Sequence, residues 1–190
     1  MRVGFTGSHS TGKTSVARLV AEQNPFWAFV PSTARKVADA GLGVNREADH
    51  MSQVLTTLSR FVDESRAHEE GWGFTVSDRT PLDSLAYTKY QIDNVWIGNE
   101  LNSFYWDYSK KFVIEAMKVY DRVFYFPVGS FALTLDGLRE NDEKYRSDID
   151  AIIKELIVEL AIPVSIVPDG SVEERTRFVL EKCEDASVYV

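Results

Sequence analysis

The sequence predicts an α/β fold in three layers, with a central parallel sheet of five strands between helices. Three observations predict it. Short apolar runs rich in Val and Phe alternate with longer segments of helical period along all 190 residues, as βα units do. A glycine-bearing loop, GFTGSHSTGKTS at residues 4–15, separates the first such run from the first helical segment. The hydrophobic fraction of 44% and charged fraction of 26% are those of a chain that buries a sizeable core.

Each element follows in order. Residues 2–6 read as the first strand and 13–22 as the helix after the loop. Residues 26–30 make a second strand, closed by Pro31. In the long helix that follows, Met51, Val54, Leu55, Leu58, Phe61 and Val62 recur at three- and four-residue steps and mark one apolar face. Gly71 and Gly73 end it, and residues 74–77 form a third strand. Pro81 suits the first turn of a helix that runs towards Tyr90. Residues 102–120 read as another helix and 122–126 as a fourth strand, before a polar stretch at 130–143 with no clear period. Residues 144–160 are helical, 164–167 form a fifth strand, and 171–182 make the last helix, with Ser171 and Glu174 at capping-box spacing. No repeat, low-complexity tract or linker interrupts the chain, so residues 1–190 are expected to form one domain.

Composition excludes several classes. Twenty-one Lys and Arg against 29 Asp and Glu leave a net charge of −8, which gives no long-range attraction to nucleic acid or an anionic membrane. A single cysteine, Cys183, permits no intrachain disulfide and suits a reducing cytosol. It reads as a small helix residue rather than a reactive thiol. No apolar run is long enough to span a bilayer, and a strand starting at Arg2 leaves no room for a cleavable signal. The expectation is a soluble cytoplasmic protein.

The loop carries the chemistry. Gly7-x-x-x-x-Gly12-Lys13-Thr14 is a complete phosphate-binding loop between a strand and a helix. Its glycines let successive backbone N–H groups point at phosphate oxygens, and the following helix adds positive charge at its N-terminus. Gly7, Ser8, His9, Ser10, Thr11, Gly12, Lys13, Thr14 and Ser15 are the expected ATP-binding residues. Lys13 reaches the outer phosphates and Thr14 offers its hydroxyl to Mg²⁺. His9 fills a variable position and has no catalytic role in this reading.

A second carboxylate is needed at the C-terminal end of a neighbouring strand, where open parallel sheets put their sites. Asp121-Arg122 precedes its strand, at the wrong end. Asp78-Arg79 directly follows Phe74-Thr75-Val76-Ser77, at the right end. Asp78 is assigned to magnesium, its water or the acceptor's proton, and Arg79 to phosphate charge.

These residues resemble the P-loop kinases of nucleosides and nucleotides, which implies the three-layer P-loop NTPase fold. DRTPLDSLAYT, residues 78–88, is similar to the thymidylate kinase signature, with Asp78, Arg79, Ser84, Leu85, Ala86 and Tyr87 in register. Gln53 and Arg60 resemble the Gln-x6-Arg helix of deoxynucleoside kinases, which implies that Gln53 pairs with a base and Arg60 lies near the transfer site. VPSTARKV, residues 30–37, looks like the segment where these kinases commonly carry a glutamate, replaced here by Ser32 or Thr33. Ser32 and Arg35 are the further acceptor contacts this implies. LDGLRENDEKYR, residues 135–146, resembles a segment of ribosylnicotinamide kinase-like proteins and their AAA-type phage relatives. It implies a lid over residues 129–146 whose Arg139 and Arg146, with Lys144, close on the γ-phosphate. VPDGS, residues 167–171, falls where such kinases place the loop beside adenine.

The expected function is transfer of the γ-phosphate of Mg·ATP to a nucleoside or nucleotide. One rival keeps the fold and changes the acceptor to a hydroxymethylated pyrimidine within phage DNA, in which case the protein acts in the host cytoplasm. Another is an ATPase or switch protein with no acceptor. The aromatic segment at 96–112, with Trp96, Phe104, Tyr105, Trp106, Tyr108 and Phe112, reads as core packing or the face of a homodimer, or as a platform for stacked bases.

Overall fold

The computed structural model describes residues 1–70, 73–129 and 142–184. Its five strands form one sheet in the order β2-β3-β1-β4-β5. β1 (Arg2–Thr6) is central, between β3 (Phe74–Asp78) and β4 (Arg122–Tyr125), with β2 (Trp27–Val30) and β5 (Ser165–Ile166) outside them. Every pairing is parallel, so the chain must return across a face between strands, and helices make those crossovers. They are α1 (Lys13–Gln23), α2 (Ala34–Asp39), α3 (His50–Glu70), α4 (Pro81–Asn94), α5 (Asn102–Met117) and α6 (Glu143–Glu159), with a 3₁₀ turn at Asn45–Glu47; α7 (Val172–Glu184) follows the last strand.

Both faces of the sheet are covered, which gives the three layers expected. Val3, Phe5 and Phe124 pack with Val16, Ala17 and Val20 of α1 and Val179 and Cys183 of α7. The alternate strand residues Val123 and Tyr125 face the other way, onto Leu82 and Leu85 of α4, Val113 and Met117 of α5, and Ile149, Ile153 and Leu156 of α6. Burial pushes the Cys183 thiol up to about 12, so it stays protonated and behaves as a core residue. Ser171 and Glu174 make both bonds of a capping box, Ser171 N–H to Glu174 Oε2 at 2.8 Å and Glu174 N–H to Ser171 Oγ at 3.2 Å. Among the described residues, no helix is long and apolar enough to cross a membrane.

Three features depart from the periodicity. α2 and the 3₁₀ turn occupy a stretch without an assigned element, because pieces of six and three residues are too short to display a period. The apolar stripe of α3 lies mostly outward: Met51, Leu58, Phe61 and Val62 are exposed and Val54 and Leu55 half-buried, while the buried set is Ser52, Gln53, Arg60 and Glu64. The inward face of α3 meets the end of β3 and a polar cleft rather than a hydrophobic layer. The aromatic segment also divides. Trp96 stacks on His50 at 3.9 Å, Tyr105 is buried, and Trp106 and Phe112 pack on the core, while Phe104 and Tyr108 are exposed.

Candidate active site

The phosphate loop owes its shape to two glycines. Gly7 has φ +147°, and a Cβ there would stand 2.4 Å from the Phe126 carbonyl oxygen. Gly12, the N-cap of α1, has φ +83°, a left-handed conformation that favours glycine. Lys13 closes the loop from inside: its Nζ donates to Gly7 O at 2.8 Å, Ser8 O at 2.5 Å and Thr11 Oγ1 at 2.9 Å. Arg175 of α7 holds the outer side, donating to Thr11 O at 2.7 Å and to Pro168 O at 3.1 Å. It thereby ties the loop to residues 167–171. Ser8, His9 and Ser10 are buried, and Ser15 is exposed on α1.

Sheet register sets the second half. Phe5 pairs with Asp78, so the carboxylate ending β3 lies level with the start of the loop. Thr14 Oγ1 donates to Asp78 Oδ2 at 2.7 Å. Arg79 follows with φ +98°, a conformation that costs a non-glycine residue about 1–3 kcal/mol. Asp83 holds it there. Asp83 Oδ1 accepts from Gly7 N at 3.1 Å and Arg79 Nη1 at 3.2 Å, and Oδ2 accepts from Thr80 N at 2.9 Å and Thr80 Oγ1 at 3.2 Å. Burial alone would lower the Arg79 pKa, but Tyr87, Asp83 and Asp78 outweigh it and raise it above the ordinary value, so Arg79 is a permanent cation.

A cleft opens between α3, α4 and the 3₁₀ turn, lined by Asn45, Gln53, Arg60, Arg79, Asp83, Ser84 and Tyr87 among others. Gln53 and Arg60 thus share one side of α3, and Arg79 faces the same cavity. Arg60 Nη1 lies 3.5 Å from the Asp78 carbonyl oxygen.

Other expected residues lie elsewhere. Neither Ser32 nor Arg35 lines this cleft, and Arg35 is exposed on α2. The Thr33 hydroxyl is turned onto α3, donating to Thr56 O at 3.0 Å. Arg146 is buried in the first turn of α6, with Nη1 at 3.7 Å from Glu143. The helix begins at Glu143 because Asp142 caps it, accepting from Tyr145 N at 3.0 Å; the last part of the expected lid is therefore a fixed helical turn. Arg139 lies outside the described residues. Sequence reasoning missed Asp83 and Arg175. Thr80-Pro81-Leu82-Asp83 has the spacing of a capping box with aspartate as its acid, which could have revealed Asp83. Nothing distinguishes Arg175 from its neighbour Arg177 without coordinates.

The profile of a family described as an AAA domain matches residues 2–175. No curated protein sequence matches at a significant level. Among solved structures, the NadR protein in complex with NAD and AMP-PNP superposes with a TM-score of 0.76 at 18% identity, over 97% of this chain and 48% of its own. The chain thus spans about half the length of NadR. A deoxyadenosine kinase from M. mycoides, with dCMP and dCDP as bound products, gives 0.72 at 15% identity over 97% and 100% of the two chains. Thymidylate kinase from Candida albicans gives 0.74 at 13% identity over 98% and 92%. At these identities the likeness is one of fold.

Proposed function

We propose, for a chain that belongs to the AAA-domain family and has the fold of P-loop nucleoside and nucleotide kinases, an ATP-dependent phosphotransferase whose acceptor is a nucleoside or nucleotide. The observation that carries this reading is the 2.7 Å contact between Thr14 Oγ1 and Asp78 Oδ2. It joins the phosphate loop to the strand-end carboxylate, the pair of groups that a nucleoside triphosphate and its metal require.

The chain's own groups divide the work. Lys13 exchanges its loop carbonyls for phosphate oxygens, and the N–H groups of the loop follow the chain of phosphates. The donor set fits magnesium, since a hydroxyl and a carboxylate are hard oxygen ligands and this ion takes only one or two of them beside phosphate and water. Thr14 and Asp78 would hold it, and when bound it neutralises charge on the outer phosphates. In the cleft, the Gln53 amide both donates to and accepts from a base edge. Arg60 and Arg79 face the reacting end of the acceptor. Asp83 has its lone pairs engaged and Asp78 is committed to the metal, so an acceptor whose oxygen is already ionised, as a nucleotide phosphate is, suits this site best because it needs no base.

The test is transfer of labelled γ-phosphate from Mg·ATP to thymidine, deoxyadenosine or their 5′-monophosphates. Wild type labels at least one of them. Lys13→Ala loses about a thousandfold or more of that turnover while it still folds, as a cooperative melting transition shows. Undiminished transfer by Lys13→Ala, or ATP consumption indifferent to every acceptor and stimulated by a protein partner, would overturn the reading.

A further inference from the structure

Arg175 is 1% exposed, and its guanidinium joins two segments that are distant in the chain. Nη1 donates to Thr11 O of the phosphate loop at 2.7 Å, and Nε donates to Pro168 O at 3.1 Å. Its Cζ lies over the Phe126 ring, 5.2 Å from the centroid. Phe126 is itself seated against the loop. Its N–H donates to Thr6 O at 2.8 Å, and its carbonyl oxygen is 2.4 Å from where a Cβ on Gly7 would stand.

Residues 167–171 are pinned at both ends. Val167 N–H donates to Tyr125 O at 2.9 Å, and Ser171 forms the capping box of α7 with Glu174. They follow β5, whose pairing with β4 is parallel, so they emerge at the sheet edge that carries the phosphate loop. The two sides of that loop differ. The cleft with Gln53, Arg60 and Arg79 lies beside the end of β3, and β4 and β5 lie across β1 from it. In phosphoryl transfer the attacking and leaving oxygens are roughly in line. An acceptor in that cleft therefore places the donor's leaving phosphates and its nucleoside towards β4 and β5.

We propose that Arg175 is a positioning residue for the phosphate donor, holding residues 167–171 against the phosphate loop so that the nucleoside and the phosphates of one molecule are gripped together. The proposal rests on the phosphotransferase reading. Thr11 belongs to the loop whose N–H groups meet phosphate, and Pro168 to the segment on the nucleoside side. One rigid fork sets the distance between them. Lysine cannot replace it, because a single ammonium on a flexible stem supplies neither two donors in a fixed plane nor a flat group to stack on Phe126. A donor without a nucleoside meets only one of the two segments, which separates this role from general support of the fold.

The experiment uses the full chain, the variants Arg175→Lys and Arg175→Met, and Arg177→Met, which removes the same charge from an exposed position of α7. Binding of Mg·ATP and of Mg·tripolyphosphate is measured by calorimetry without acceptor, and KM values by the transfer assay. The expected loss of affinity for Mg·ATP is about tenfold in Arg175→Lys and greater in Arg175→Met, against less than about threefold for Mg·tripolyphosphate. The ATP KM rises in step, the acceptor KM changes by less than about twofold, and Arg177→Met alters neither ligand's binding. Equal losses for the two ligands, or an unchanged affinity for Mg·ATP in a folded variant, overturn the proposal and leave the phosphotransferase reading intact. Failure of both Arg175 variants to show a cooperative melting transition makes the arginine a support of the fold and overturns it too. Absence of any transfer by wild type removes the phosphotransferase reading, and the donor-positioning role with it.

Discussion

An ionised carboxylate offers about four lone-pair positions, and Asp83 uses them all, on Gly7 N–H, Arg79 and both polar groups of Thr80. One buried residue thus fastens the first glycine of the loop to the turn after β3. Asp83→Ala leaves those donors buried without a charge partner for Arg79, and the expected loss is about 3–5 kcal/mol, measured by urea denaturation. Asp83→Asn keeps one acceptor oxygen and should lose less, about 1–3 kcal/mol. Asp78 works differently, because its contact with Thr14 is a pairing of two prospective metal ligands. Asp78→Asn keeps the size of the side chain and removes the charge, so half-saturation in magnesium should rise by about tenfold or more in the transfer assay, with little change in the urea midpoint. An unchanged magnesium requirement would remove Asp78 from the metal site. The place of Asp78 beside the loop was legible in the sequence, since a carboxylate directly after a strand must emerge at the same edge as the loop after the strand beside it. Asp83 was hidden because its spacing also suits an ordinary helix cap. Arg175, which donates to Thr11 O and Pro168 O, was hidden because a helical arginine carries no mark of what it reaches.

α3 shows how far an element can be read from its period. The repeat of Met51, Val54, Leu55, Leu58, Phe61 and Val62 identifies a helix correctly, but not the way it is turned. A period records that one face is apolar, and burial normally follows that face. Here the buried face carries Gln53 and Arg60, which line a polar cleft, and Glu64, which accepts from the Tyr120 hydroxyl. The strands posed no such difficulty. Covered on both sides, they show as short apolar runs, and the alternation with helices fixed their number and parallel sense. The inversion on α3 has a measurable consequence. Leu58→Ser and Phe61→Ser, both at positions about half exposed, should each lose no more than about 1 kcal/mol. Ile153→Ala on α6, fully buried against α4, should lose about 2–5 kcal/mol. Chemical denaturation at one temperature compares them directly. A loss of core size at Leu58 or Phe61 would mean that the stripe is covered in solution.

At the scale of the whole molecule, the parallel sheet sends the loop after β1 and the end of β3 to one edge, and the charge of the chain then bears on what can approach that edge. A net charge of −8 opposes a polyanion, because non-specific binding of a duplex draws its strength from phosphates neutralised by Lys and Arg with release of counterions. The cations of the site give little help. Arg60 is buried at the cleft wall and Arg79 is paired with Asp83, so both serve a small group inside the cavity better than a strand outside it. A nucleoside or mononucleotide meets the same net charge with at most a few charges of its own, screened beyond about 10 Å at moderate salt. A labelled duplex of about 20 base pairs should therefore show no saturable binding below about 10⁻⁴ M at about 50 mM salt. Over the same range of salt, transfer to a free nucleoside should change little. Micromolar binding that weakens steeply as salt rises would instead bring an acceptor base within DNA back into consideration, and would require a basic surface that the charge balance of this chain does not suggest.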